Sequence, residues 1–122
     1  MKKVLIIDDS PLARKFHVNI LRKSGFATDV AHDGAEGLEK ALSGTYDVII
    51  CDINMPKMDG LAFTSKYREI NELTPIIVLT TQERAVNRQE ALEAGANLYL
   101  VKPAVPTDLL LHLKMLLGAE SC

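Results

Sequence analysis

Three aspartates, a threonine and a lysine carry the chemical interest of this chain, because each stands at the end of a short apolar run. Asp8 and Asp9 follow Val4-Leu5-Ile6-Ile7, and Asp52 follows Val48-Ile49-Ile50-Cys51. Thr80 closes Ile76-Ile77-Val78-Leu79, and Lys102 closes Leu98-Tyr99-Leu100-Val101. Adjacent carboxylates raise each other's pKa unless a cation neutralises them, so Asp8 and Asp9 at one buried strand end call for a counter-charge. With Asp52 they supply the hard oxygen donors that Mg²⁺ prefers, alongside a carbonyl, waters and a phosphate. Lys102 would then hold a positive charge beside a phosphoryl group and Thr80 a hydroxyl donor. Such an arrangement stabilises a transferring phosphoryl by positioning and electrostatics.

Taken singly, each residue has a plainer reading. An aspartate after a strand is often a helix N-cap, Thr80 could cap a helix starting near Gln82, and Lys102 could be a surface lysine before a turn. Their joint placement at successive strand ends is what points to one pocket.

The elements that must position them follow from periodicity. Continuous apolar runs of this length, separated by helical stretches, read as parallel strands buried on both faces. In such sheets, ligands collect beyond the carboxyl ends of the strands. Ser10-Pro11 opens a first helix as N-cap and first-turn proline; Leu12, Phe16, Ile20 and Leu21 are its expected buried stripe, and Gly25 ends it. Residues Ala27 to Ala31 read as a weak edge strand. Asp33 with Glu36 resembles a capping box for a helix carrying Ala35, Leu38, Ala41 and Leu42. The third strand is expected over Asp47 to Cys51. A loop from Ile53 to Met58 follows, then a helix from Asp59-Gly60 with Phe63, Tyr67 and Ile70 inward. Pro75 precedes the fourth strand, Gln82 to Ala94 form a helix with Val86, Ala91 and Leu92 as its stripe, and Pro106 starts the last helix. There, Leu109, Leu110, Leu113, Leu116 and Leu117 share one arc, whereas Leu111 and Met115 fall outside it. Strict alternation of strands and helices implies an α/β sandwich around a parallel sheet.

Bulk properties narrow the class. A length of 122 residues suits one domain. The formal charge of −2 offers no argument for nucleic acid or an anionic membrane. The basic residues near the N-terminus are interspersed with apolar ones and read as solvated faces. The two cysteines, Cys51 and Cys122, have no metal or redox spacing. His17, His32 and His112 share no partner and read as surface or core residues. No run is long enough for a signal peptide or a membrane span, so a cytoplasmic protein is expected.

The stretches Val4 to Ser10 with Arg14, Asp47 to Gly60, Pro75 to Thr81 and Glu93 to Pro103 together resemble a response-regulator receiver domain of two-component signalling. The likeness is greatest to the stand-alone chemotaxis type, CheY, and runs along the whole chain. It implies one receiver domain over residues 1–122, a doubly wound five-stranded parallel sheet in the order 2-1-3-4-5 and five helices, the flavodoxin-like arrangement. By the resemblance, Asp52 is the phosphoacceptor, which takes a phosphoryl group from a sensor histidine kinase or phosphotransfer protein. Asp9 is the direct ligand of Mg²⁺ (Mn²⁺ as an alternative), Asp8 acts mainly through metal-bound water, and the Asn54 backbone carbonyl completes the protein donors with Asp52. Lys102 pairs with a phosphoryl oxygen, Lys102-Pro103 matches a cis peptide bond, and Thr80 moves to the phosphoryl group. Tyr99 then turns from outside to inside, altering the face of the fourth helix, fifth strand and fifth helix. On the last helix, Leu111 and Met115 are either isolated exposed apolar residues or, with Tyr99, a patch on that face for a downstream protein or a weak dimer.

The expected activity is that of a switch and no enzyme beyond its own phosphorylation and dephosphorylation, with no nucleic-acid partner and no membrane insertion. One departure is Ala104, where the family commonly has Phe. Competing readings are the receiver portion of a larger regulator, an aspartyl-nucleophile Mg²⁺-dependent phosphohydrolase, and a flavodoxin. The phosphohydrolase would need its acids at alternate positions after the first strand, and the flavodoxin a phosphate-cradling loop there without acids.

Overall fold

The apolar runs become the strands of one sheet: β1 (Lys3–Ile7), β2 (Ala27–Ala31), β3 (Val48–Asp52), β4 (Ile76–Thr80) and β5 (Leu98–Val101). The helices between and after them are α1 (Pro11–Lys23), α2 (Gly34–Ser43), α3 (Gly60–Arg68), α4 (Ala85–Ala94) and α5 (Pro106–Leu117). The computed structural model describes residues 2–55, 57–80, 85–102 and 106–117. Residues 81–84, the Val86 side chain, Pro103, Ala104 and Cys122 lie outside the described part, and the expectations for them go no further.

All strand pairings are parallel and the order is β2-β1-β3-β4-β5, as the resemblance implied. Side-chain alternation divides the core into two layers. Leu5, Ile7, Ile49, Cys51, Ile76, Val78 and Tyr99 pack on one face with Phe63 and Tyr67 of α3 and Ala91 of α4. Val4, Ile6, Val48, Ile50, Ile77 and Leu79 pack on the other with Leu21 of α1 and Leu109 and Leu113 of α5. Strands β3 and β4 are buried at every position, whereas β2, at the edge, is mostly half-buried.

Local chemistry sets the helix starts. Ser10 caps α1 by accepting from the Ala13 N–H at 3.2 Å, with Pro11 at the first turn. Asp33 caps α2 by accepting from Glu36 N–H at 2.8 Å, but the Glu36 carboxylate reaches past Asp33 to His32 N–H at 2.6 Å. The expected capping box is therefore stretched by one residue.

Several expected core positions are corrected. On α1, Leu12 is 79% and Phe16 45% exposed, while His17 and Leu21 are buried. At about 100° per residue, Leu12 lies roughly 160° from the face centred between His17 and Leu21. The apolar stripe had been traced one face away because a histidine occupies the core position. On α2 the buried residues are Gly34, Gly37 and Ala41, with Ala35 and Leu42 outside. Small residues let this helix approach Ile7 closely, a contact that a count of apolar side chains passes over. Ile70 is 70% exposed because α3 ends at Arg68 and the helical period no longer applies. Leu92 is exposed beside the fully buried Ala91. In α5, Leu109 and Leu113 are buried, Leu110, Leu116 and Leu117 pack partly against them, and Leu111 and Met115 stand outside as expected. Among the described residues, no helix is long and apolar enough to cross a membrane.

Candidate functional site

The strand order reverses direction at β1 and β3, and a crevice opens there beyond their carboxyl ends. Ile7 is paired with Cys51, so the next residue of each chain segment, Asp8 and Asp52, stands at the same level. Asp8 continues the alternation of Val4 and Ile6, Asp52 that of Val48 and Ile50, and Lys102 that of Leu98 and Leu100. All three therefore emerge on the α1–α5 side of the sheet. Both aspartates are buried, at 1% and 5% exposure, whereas Asp9 is exposed.

One carboxylate oxygen each from Asp8, Asp9 and Asp52 lies within 4.8 Å of the others, which suits a single divalent cation held by hard oxygen donors. Lys102 Nζ donates to Asp8 Oδ2 at 2.9 Å and stands 3.4 Å from Asp52 Oδ1. The longer contact is an ion pair without hydrogen-bond alignment, and Asp52 Oδ1 is buried with no hydrogen-bond partner. Asp8 is better supplied, since its Oδ1 accepts from Ser10 N–H at 2.9 Å and its backbone carbonyl accepts from the Arg14 guanidinium at 2.7 Å. Asp8 is thus held by hydrogen bonds, while Asp52 Oδ1 has only the ion pair with Lys102.

The electrostatics follow that asymmetry. Burial, reinforced by the charge on Asp8, raises the Asp52 pKa above the ordinary aspartate value, against the opposing pull of Lys102 and the Asn54 backbone N–H. Burial alone would lower Lys102, but the hydrogen bond and charge of Asp8, with Asp52 added, outweigh it and keep the ammonium protonated. Burial and the charge of Asp52 push the Cys51 thiol well up, which makes it a core residue and no nucleophile.

Thr80 is fully buried at the end of β4, with its Oγ1 3.5 Å from Asn54 Nδ2. Tyr99 lies inside, at 8% exposure, with the Arg88 guanidinium 5.3 Å from its ring centroid. Leu111 and Met115 are 56% and 69% exposed, one helical turn apart on α5. They are remote in character from the charged pocket and form no part of it.

The loop after Asp52 is shaped by backbone approach. A Cβ on Gly60 would meet the Asp52 carbonyl oxygen at 2.4 Å, and one on Gly34 would meet the Met58 carbonyl oxygen at 2.5 Å. Only glycine lets α3 and α2 close on this loop. Asp59 accepts from Ala62 N–H at 2.8 Å, capping α3. Lys57, within the loop, has φ +68°, a left-handed conformation that costs a residue with a Cβ about 1 kcal/mol relative to glycine.

Sequence reasoning gave three residues near the site no role. His17 sits in the core of α1, where its pKa is lowered by burial and then by the charge of Lys102, with Asp8 opposing. The Ala13 carbonyl one turn back also favours the charged ring, yet neither ring nitrogen has a partner with hydrogen-bond geometry. Its spacing of three from Arg14 and four from Leu21 was the available signal. Arg14 stood in the motif, but its bond to the Asp8 carbonyl depends on the turn at Ser10. Nothing in the sequence marked the backbone of Lys57. His32 pairs with Asp33 and Glu36, and His112 with the Asp108 carbonyl, so neither joins the pocket.

A doubly wound parallel sheet with three acids and a lysine at its reversal point defines a class of phosphoryl- and metal-handling α/β domains. Comparison narrows the class. Residues 4–114 match the family described as response regulator receiver domain, and the chain belongs to that family. It is 37% identical over 119 residues to the transcriptional regulatory protein ResD of Bacillus subtilis (strain 168), covering 98% of this chain and 49% of that protein. Among solved structures, it resembles the chemotaxis protein CheY4 of Vibrio cholerae at 40% identity and a TM-score of 0.90, covering 95% of this chain and 98% of that one. It also resembles the response regulator TrrA of Thermotoga maritima, solved in complex with Mg²⁺-BeF, at 34% identity and a TM-score of 0.87, covering 95% and 99%. The chain spans about half the length of the curated relatives it matches.

Proposed function

We propose that this receiver domain accepts a phosphoryl group on Asp52 from a phosphohistidine of a sensor kinase or phosphotransfer protein. The observation that carries this reading is the asymmetry of the pocket: both Asp8 oxygens accept hydrogen bonds, from Ser10 and Lys102, whereas Asp52 Oδ1 has only a 3.4 Å ion pair with Lys102. The Asp52 carboxylate is the nucleophile. It attacks phosphorus, the P–N bond of the donor breaks, and the departing imidazole keeps the electron pair and takes a proton from solvent. Lys102, already between Asp8 and Asp52, neutralises charge on the transferred group, and the Thr80 hydroxyl donates to one of its oxygens.

The carboxylates of Asp8, Asp9 and Asp52, with the Asn54 carbonyl, would hold Mg²⁺; Mn²⁺ accepts the same hard donors. When bound, the cation supplies positive charge that offsets repulsion between an incoming phosphoryl and the three acids. Reversal by water returns the carboxylate, so the chain turns over its own acyl phosphate and no external substrate.

Output passes through the surface of α4, β5 and α5, where the exposed Leu111 and Met115 meet a downstream protein or a second copy and the buried Tyr99 supports that face from inside. Two readings of that output have separate support. The likeness to CheY4 along nearly all of both chains favours a stand-alone, chemotaxis-type switch. The length of ResD and its relatives favours a receiver that governs a transcriptional regulator, whose nucleic-acid contacts would lie elsewhere.

Incubation with radiolabelled acetyl phosphate and Mg²⁺ should give a label that is lost in hydroxylamine. Asp52→Asn and chelation of the metal should each abolish it. Full labelling of Asp52→Asn at an unchanged site would overturn the acceptor assignment.

A further inference from the structure

The acidic pocket opens onto a groove of about 620 Å³ lined by Asp9, Arg14, His32, Asp33 and Lys57. Asp33 is already engaged there, by Glu36 N–H at 2.8 Å and by His32 at 3.3 Å. Arg14 is fixed by its 2.7 Å bond to the Asp8 carbonyl, which holds its charge at the mouth. Lys57 is exposed and adopts the left-handed backbone that glycine takes without strain. Its side chain contributes no buried packing to offset that strain. What it does add, and glycine could not, is a charged side chain among the residues that line the groove with Asp9.

We infer that Lys57 is a steering residue for the phosphodonor: together with Arg14 it draws the dianionic phosphoryl group into this groove on its way to Asp52. The inference rests on the phosphoacceptor reading above and names how the donor reaches that site. Lys57 acts on arrival and takes no part in bond making. Once Asp9 is neutralised by a bound cation, Arg14 and Lys57 leave the groove net positive toward an incoming anion. A charge acting from the rim across solvent raises association rates and is screened by salt over roughly 10 Å at 0.1 M.

The test uses the full chain with acetyl phosphate as the donor, where Asp52 attacks phosphorus and acetate leaves with the electrons of the broken P–O bond. Initial labelling rates are measured at low and at high ionic strength for wild type, Lys57→Gly, Lys57→Ala and Lys57→Arg. Lys57→Gly relieves the backbone strain and Lys57→Ala retains it, so their melting temperatures should separate. Their labelling rates should nevertheless fall together, about three- to tenfold at low salt, and converge with wild type at high salt. Lys57→Arg should keep both the rate and its salt dependence. Wild-type rates in both neutral variants would overturn the inference. A loss of equal size at all salt concentrations would overturn it too, because that marks a loop-shape effect. Either result, with Asp52→Asn unlabelled, leaves the acceptor reading standing; labelling of Asp52→Asn would remove that reading by itself.

Discussion

Replacing Asp52 by asparagine should stabilise the metal-free protein while abolishing phosphorylation. Asp52 is 5% exposed, its Oδ1 has no hydrogen-bond partner, and it shares the crevice with the buried Asp8. A buried polar atom left unsatisfied costs about 1–3 kcal/mol, more when charged. The substitution leaves an amide atom in the same place but removes the buried negative charge and its repulsion from Asp8. It forfeits only the 3.4 Å ion pair, since Lys102 remains held by Asp8 at 2.9 Å. The net gain expected at pH 7.5 in chelator is about 1–2 kcal/mol, a rise of roughly 3–8 °C in Tm for a domain of this size. The sign in pH follows from linkage. The folded-state pKa of Asp52 is raised, so its penalty applies above that pKa and disappears below the unfolded value, near about 4. The gap between variant and wild type should therefore close as the pH falls to about 4. Saturating Mg²⁺ should reverse the order, since wild type gains about 2.7 kcal/mol at one hundred times Kd and the variant lacks one donor. Thermal unfolding by circular dichroism across pH, with and without Mg²⁺, reads all three. A variant no more stable than wild type in chelator, or a gap unchanged at pH 4, would refute the strained-acceptor reasoning.

Two further substitutions probe how the pocket is supported. His17→Leu removes a buried donor and acceptor without partners while conserving volume, and should gain about 1 kcal/mol at pH 7.5. Because the folded-state pKa of His17 is lowered, wild type should lose stability below about pH 6.5; denaturant titrations at pH 7.5 and 5.5 should show the variant losing less, and an equal decline would dismiss the account. Gly60→Ala, which on an ordinary helix would be favourable, should instead cost about 1–3 kcal/mol, because its Cβ meets the rigid Asp52 carbonyl at 2.4 Å. It should slow acetyl phosphate labelling as α3 shifts, and a variant as stable and as quickly labelled as wild type would show that the helix is not pressed on β3.

The fold and the acidic cluster could be read along the chain because both rest on local, strongly patterned signals. Runs such as Val48-Ile49-Ile50-Cys51 are apolar at every position only when both faces of a strand are covered. An acid ending such a run stands where a parallel sheet opens its crevice. The same logic went astray wherever burial was not apolar. His17 occupies a core position and displaced the inferred face of α1, leaving Leu12 and Phe16 exposed. Gly34 and Gly37 form the contact face of α2, where the absence of a side chain is the packing feature. Ile70 looked periodic with Phe63 and Tyr67 but lies beyond the end of α3.

By itself, then, the order of residues specified which segments are strands, which side chains stand at their ends, and that the cluster of acids needs a cation. It could do so because alternation, capping and charge are nearest-neighbour properties of the chain. The unequal states of Asp8 and Asp52, the ammonium of Lys102 bridging residues 94 positions apart, and the strained Lys57 at the mouth were decided only in three dimensions. They depend on strand register and on backbones meeting through glycine, and those distances are set by the packing of the whole sheet.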